Sequence, residues 1–368
     1  MSAGQAPLHQ RAPEPQPTSF SERQHPPSAA APDAAGQWRA PFVLDLPRTL
    51  GVHARGRSDP AYRVAADNSI WRTSLTPDGP ATLLIRGGDP PEPPDRHSAP
   101  RPASRPSGLG PDRRSAPRPP QPAGSTLVQA WAWGPGASWL LGALPAALGA
   151  EDDREGFDPA HPLLRELSTR FPGIRVGRTA RVLEALVPAV LEQKVVGVEA
   201  RRAWRYLLLR FGSPAPGPAP AGMRVPPPAA AWPRIPSWEW HRAGVEGVRA
   251  RTIIGAAEVA GRLEEIVRMS PADADRRLRA LPGIGVWTSA EVRQRACGDA
   301  DAVSVGDYHL PARVGWALAG RVVDDAGMLE LLAPYPGHRH RAARLVELSG
   351  LAPPRRGPRM SVRDYRSF

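Results

Sequence analysis

Between Pro41 and Gly87 apolar and polar residues alternate in short runs, FVLDL, YRV, SIWRTSL and TLLIRG, and Asp67-Asn68 and Asp78-Gly79-Pro80 punctuate them. Period-two alternation bounded by turn residues predicts strands, so this stretch reads as a small antiparallel sheet. STLVQAWAW, at 125 to 133, adds a strand after a gap, and 137 to 149 reads as a helix. From about residue 160 the period becomes helical. Leu183, Leu186, Val187, Val190 and Leu191 share a stripe, and Trp204, Leu207, Leu208 and Phe211 repeat it after Gly197. Helices resume at Ser237, run from Arg249 to Met269, and start again at Ser270, where Ser followed by Pro271 supplies an N-cap and a first-turn proline. The pattern predicts an α+β chain: an N-terminal small antiparallel sheet with a helix, then an all-helical unit.

Other stretches carry neither period. Residues 1–39 are rich in Pro, Ala, Gln and Ser, and 88–124 is similarly biased. Neither holds enough apolar surface to offset the entropy of ordering, so disorder is expected in both. An insert in a surface loop is tolerable because closure entropy grows slowly with loop length. The expected organisation is a disordered tail over 1–39, an α+β domain over 40–164 with the insert inside it, a helical domain over 165–350 interrupted by a Pro-rich loop at 213–236, and a basic C-terminal tail over 351–368.

Composition changes the picture in three ways. The 368 residues carry a formal net charge of +12 and a pI near 11.0, which favours a polyanionic partner. Of the 48 basic side chains only Lys194 is a lysine; a GC-rich coding bias is the plain explanation for the arginine excess, yet it leaves a single side-chain amine for chemistry. One cysteine, Cys297, excludes a disulfide framework and a four-cysteine iron–sulfur loop. No apolar run approaches the eighteen or so residues of a membrane span, and no signal-peptide apolar segment opens the chain, so a cytoplasmic, nucleoid-associated protein is expected.

The most informative residues are LPGIGVWTSAEV at 281–292 and VSVGDYHLPARV at 303–314. In the first, a helix ends at a Pro-Gly-x-Gly turn and another starts from its last glycine. Glycines let backbone amides approach an anion, and the helix N-terminus aims unpaired N–H groups at the same point, making a phosphate cradle. In the second, a single acid, Asp307, opens a helix. A carboxylate held near C1′ of a nucleotide stabilises the positive charge that develops as a glycosidic bond breaks, and can orient the attacking water. The same Asp307 also suits the cap of a helix beginning at Tyr308, and both roles can hold together.

Hairpin, helix, short extended run and acid in this order resemble the helix-hairpin-helix superfamily of base-excision DNA glycosylases. The likeness is greatest to the DNA-3-methyladenine glycosylase II branch, through Trp287 and Thr288 after the hairpin's last Gly and through the Asp307-Tyr308 pair. It covers 165–350 well and about 40–165 weakly. The resemblance implies duplex DNA with a damaged base as partner, a base flipped into a cleft between the domains, a monomer, and Asp307 as the catalytic acid. It implies DNA contact by Leu281, Gly283, Ile284, Gly285 and Thr288, and by the turn containing Gln193 and Lys194, where relatives commonly place an apolar wedge. Trp287 and Tyr308 would stack on the base. Glu291 stands where the branch has Tyr; it can attract a cationic base or pair with Arg295 at i+4. Around a helix start His338, Arg339 and His340 replace a Trp-Arg pair and suit phosphate contact. Relatives that nick DNA use a lysine where this chain has Trp287, so hydrolysis of alkylated purines without strand cleavage is expected. No metal or organic cofactor is expected, since His309, His338 and His340 lack supporting ligands for zinc; relatives suggest a monovalent cation at the carbonyls of Leu281 to Gly285. Two other readings stay open: a non-catalytic helix-hairpin-helix DNA-binding protein, and a glycosylase for another lesion such as uracil, an oxidised base or a mismatch.

Overall fold

The computed structural model describes residues 31–88 and 125–354. The tail before residue 31, the insert at 89–124 and the basic tail from 355 lie outside the described residues. A five-stranded antiparallel sheet comes first, from β1 (Ala34–Ala40), β2 (Tyr62–Val64), β3 (Ile70–Thr76), β4 (Gly79–Gly87) and β5 (Thr126–Trp133), in the order β1-β5-β4-β3-β2. The β3–β4 hairpin closes with Thr76 opposite Gly79, where the Asp78-Gly79 turn was expected. Alternation sends Trp38, Ile70, Leu83, Ile85, Val128 and Ala130 to one face, which packs on Leu140, Leu141 and Leu144 of α2 (Ala137–Ala147).

Two expectations for this region need correction. β1 begins at Ala34, inside the segment assigned to the tail. Its Ala, Gly and Gln residues carry little intrinsic strand preference, and pairing with β5, Trp38 opposite Val128, supplies the order. FVLDL is not a strand. Asp45 accepts from Arg48 N at 3.0 Å and caps α1 (Leu46–Leu50), and Pro47 lies in its first turn, so Leu44 and Leu46 reach the core without a ladder.

The Pro-rich stretch at 213–236 is packed structure. It forms a short ladder between β6 (Ser213–Pro214) and β7 (Arg224–Val225) and a 3-10 turn at Ala229–Arg234 that buries Trp232. Met223 covers the sheet's second face, where Trp71 and Trp133 stack at 5.6 Å between ring centres. Gly217, with φ of +70°, lies so close over Trp133 that a Cβ would come within 2.3 Å of the ring. The hydroxyl of Thr73 donates to Arg224 O at 2.6 Å, tying this stretch to β3. Proline and glycine mark a loop in sequence, but here two tryptophan faces give that loop something to cover.

The helical part is built around α4 (Val182–Leu191), which is apolar on nearly all sides and buried accordingly. Around it pack α5 (Gly197–Phe211), α6 (Ser237–Ala243), α7 (Gly247–Glu258), α8 (Ala260–Glu264), α9 (Pro271–Arg279) and α10 (Val286–Val292). The helix expected over 249–269 is broken near Val259, yet Ala260, Leu263 and Ile266 keep the buried stripe continuous across the break. Ser270 caps α9, accepting from Asp273 N at 3.2 Å. A second cluster joins α3 (Pro162–Arg170), α11 (Leu310–Ala319), α12 (Asp325–Leu332) and α13 (Arg339–Ser349). Glu184 of α4 accepts from Ser74 Oγ and Leu75 N, both at 2.7 Å, and so fastens the sheet to the helices. No helix among the described residues is long and apolar enough to cross a membrane.

Candidate active site

The turn from Leu281 to Gly285 joins α9 to α10. Gly283 adopts φ of +86°, and a Cβ there would stand 2.1 Å from Thr252 Oγ1 on α7, so the turn presses against that helix. Gly285 differs: it is the N-cap of α10, and a Cβ built on it meets nothing within 4 Å. Gly285 and Val286 are exposed at this helix start. Ile284 is buried and anchors the turn, and Leu281 is half-buried.

In the first turn of α10, Trp287 faces Asp307. Its indole Nε1 donates to Asp307 Oδ2 at 3.1 Å. The other oxygen, Oδ1, accepts from His309 N at 2.8 Å and Leu310 N at 2.9 Å, at the start of α11. Asp307 therefore does hold the amides that lead into a helix, but that helix begins at Leu310 rather than Tyr308 and its N-cap residue is His309. Three N–H donors hold the carboxylate in one orientation. It opens on a cleft of about 300 Å³ whose walls include Trp287, Glu291 and Asp307 on one side and Arg48, Val52 and Ile174 on the other. The cleft lies between the sheet domain's α1 region and the helices, so a ligand there touches both.

Neither a family model nor a curated protein matches the sequence. Solved structures do match. A 3-methyladenine DNA glycosylase from Archaeoglobus fulgidus superposes with a TM-score of 0.62 at 15% identity, covering 85% of this chain and 98% of that one. The structure of MBOgg1 in complex with a low-affinity DNA ligand gives 0.58 at 14%, covering 86% and 96%. The apo 8-oxoguanine glycosylase/lyase of Clostridium acetobutylicum gives 0.56 at 9%, covering 86% and 99%. The chain has the fold of DNA glycosylases.

Within that fold the remaining residues fall into two groups. Trp287, Glu291 and Asp307 meet at the cleft. Glu291 is committed within the protein: Oε2 pairs with Arg295 at 2.8 Å and Oε1 accepts from Ser304 Oγ at 2.6 Å. The i+4 pairing is thus realised, and Arg295 Nε reaches Val52 O at 3.2 Å across the domain boundary. Thr288 is buried. Gln193 donates from Nε2 to Thr288 Oγ1 and to Gly283 O, each at 2.9 Å, bracing the hairpin from behind. Next to it Lys194 is exposed with φ of +55°, a left-handed conformation costly for a side chain other than Gly, Asn or Asp, held at the hairpin's edge by the bonds of Gln193.

Tyr308, Arg339 and His338 stand outside the cleft walls. Tyr308 is 83% exposed, edge-on to His309 at 4.8 Å, and lines no part of the cleft. Asp307 turns inward to the His309 and Leu310 amides, and the next side chain points outward. Arg339 makes a two-pronged ion pair with Asp301, through Nε and Nη2, so its guanidinium is occupied. His338 is buried; Nε2 lies 2.9 Å from Glu155 O and Nδ1 accepts from Arg341 Nε at 3.3 Å, which makes it an internal brace. His340 does line the cleft, and removal from water together with Arg344, Arg295 and Arg341 holds its pKa down at about 3.

The far wall, Arg48 to Val52 and Ile174 to Gly177, escaped the sequence reading because these residues lie more than a hundred positions from the hairpin and share no local pattern with it. Ser304 carried a weak signal, a hydroxyl between Val303 and Val305 three residues before the acid.

Proposed function

We propose that this protein is a DNA N-glycosylase that hydrolyses the glycosidic bond of alkylated purines, of the 3-methyladenine type, in duplex DNA and leaves an abasic site without cutting the strand. The observation that carries this reading is Asp307, fixed by Trp287 Nε1 and the amides of His309 and Leu310 at the wall of a cleft that Trp287, two residues after the hairpin's Gly285, also lines. The hairpin would bind a phosphate, and the net charge of +12 would draw the duplex in. With the damaged nucleotide turned into the cleft, the C1′–N bond breaks, and its electron pair leaves with the base. Positive charge develops on the sugar opposite Asp307, and water adds at C1′, giving up a proton to the carboxylate. An alkylated purine already carries positive charge, so it departs readily and little acid assistance is needed. The carbonyls of Leu281, Pro282 and Gly283 already accept from Ile284 N, Thr252 Oγ1 and Gln193 Nε2, so a cation at the hairpin would share crowded oxygens, and no step is routed through it.

Purified protein incubated with methylated, uracil-containing and oxidised duplexes tests the reading by chromatography of the released bases. Free methylated purine is expected. Release only from uracil-containing or oxidised DNA would move the lesion to another class, and binding without any release would favour the non-catalytic alternative.

A further inference from the structure

Glu291 stands in the cleft as an acid in a place where it looks ready to meet a base. Its hydrogen bonds point elsewhere. Oε2 is matched by Arg295, itself fixed to Val52 O, and Oε1 takes the proton of Ser304 Oγ. An ionised carboxylate only accepts, so the Ser304 hydroxyl must donate to it, and the same oxygen then accepts from Gln294 Nε2 at 2.9 Å. Gln294 and Ser304 are 7% and 4% exposed, so turning Glu291 toward a ligand would strand a buried hydroxyl.

Ser304 begins the turn that delivers the acid. Its carbonyl accepts from Asp307 N at 3.2 Å, Gly306 occupies the third position with φ of +89°, and Gly306 N donates to Asp325 Oδ1 at 3.0 Å. Gln294 Nε2 also holds Ala302 O, at 2.7 Å, one step upstream. One helix face therefore grips the acid twice. Trp287 binds its carboxylate, and Glu291, one helical turn on, binds its turn through Ser304.

We infer that Glu291, Ser304 and Gln294 form a positioning relay that sets where Asp307 stands against the sugar, and that Glu291 does not read the damaged base. The relay rests on the glycosylase reading above, because its output is the rate of base release.

Single-turnover base release, measured on two duplexes with chemically different alkylated bases, tests it in Ser304→Ala, Glu291→Gln and the double variant. Each single variant is expected to lower the rate about tenfold on both lesions, with affinity for an abasic-analogue duplex within about twofold of wild type, and the double variant to lose little more than either alone. Ser304→Thr, which keeps the hydroxyl, is expected to stay within about threefold of wild type; should Ser304→Ala not fold, Glu291→Gln and Ser304→Thr carry the comparison. Losses that multiply in the double variant, or a Glu291→Gln loss confined to one lesion, would overturn the relay while leaving the glycosylase standing. Wild-type protein that releases neither base would sink both.

Discussion

Asp307 and Trp287 act as one unit at the scale of single residues. On the proposed chemistry, Asp307→Asn removes the charge that opposes the developing sugar cation while keeping the shape and an oxygen for the His309 and Leu310 amides. Base release should fall by about a hundredfold or more, if the charge is worth about 3 kcal/mol, with duplex affinity retained. Trp287→Phe keeps an aromatic wall but deletes the 3.1 Å hydrogen bond to Oδ2, and a smaller loss of about tenfold is expected from one bond to a charged acceptor. A rate for Asp307→Asn within threefold of wild type would remove the acid from the mechanism. The place of Asp307 beside the hairpin's helix was legible because the Gly-Asp-Tyr run follows the Pro-Gly-x-Gly turn in the order that carries the resemblance. The internal partners of Tyr308, His338 and Arg339 were not, because they are set by groups distant in sequence or by the local turn: Glu155 O for His338, Asp301 for Arg339, and the inward turn of Asp307 for Tyr308.

Among the elements, the two hairpin glycines make separable claims. Gly285 has open space where a side chain would project, so Gly285→Val should fold normally, weaken binding to any duplex, and flatten the dependence of affinity on salt by about one phosphate contact. Gly283→Ala instead meets Thr252 Oγ1 at a positive φ, and the expected result is a lower unfolding midpoint, by about 1–2 kcal/mol of stability. Calorimetry and salt-titrated binding on both variants check the pair, and a Gly285→Val protein of unchanged affinity and salt slope would count against phosphate binding at the turn. Elements with a sustained period, α4, α5, β3 and β4, appear where the pattern placed them. FVLDL misled because five alternating residues look alike whether they pair in a ladder or lead into a capped turn. The Pro-rich stretch at 213–236 misled because composition is silent about Trp71 and Trp133, the surfaces it covers.

Across the whole molecule the domains meet through buried charge, which gives stability a pH dependence. His53 is held well below its ordinary pKa, first by burial and then by Arg72, Arg295 and Arg55, and His340 is held at about 3. Both stay neutral when folded and take up a proton near 6.5 when unfolded, so stability should fall as pH drops from about 6.5 toward 3. Urea midpoints at pH 7.5 and 5.5 should show this, with a smaller difference in His340→Gln; equal differences would assign the effect elsewhere. The same assembly bears on strand cleavage, which needs an amine within reach of the abasic sugar. The only lysine in the sequence, Lys194, is exposed in the turn after α4 and does not line the cleft, although its neighbour Glu192 does, and the side chain beside Asp307 is Trp287, which carries no amine. No imine should therefore form on the abasic product. Borohydride added during turnover should give no covalent protein–DNA adduct, and breaks should appear only after alkali or heat. An adduct that forms in wild-type protein and vanishes in Lys194→Ala would place that amine at the reacting carbon and make the protein a lyase as well.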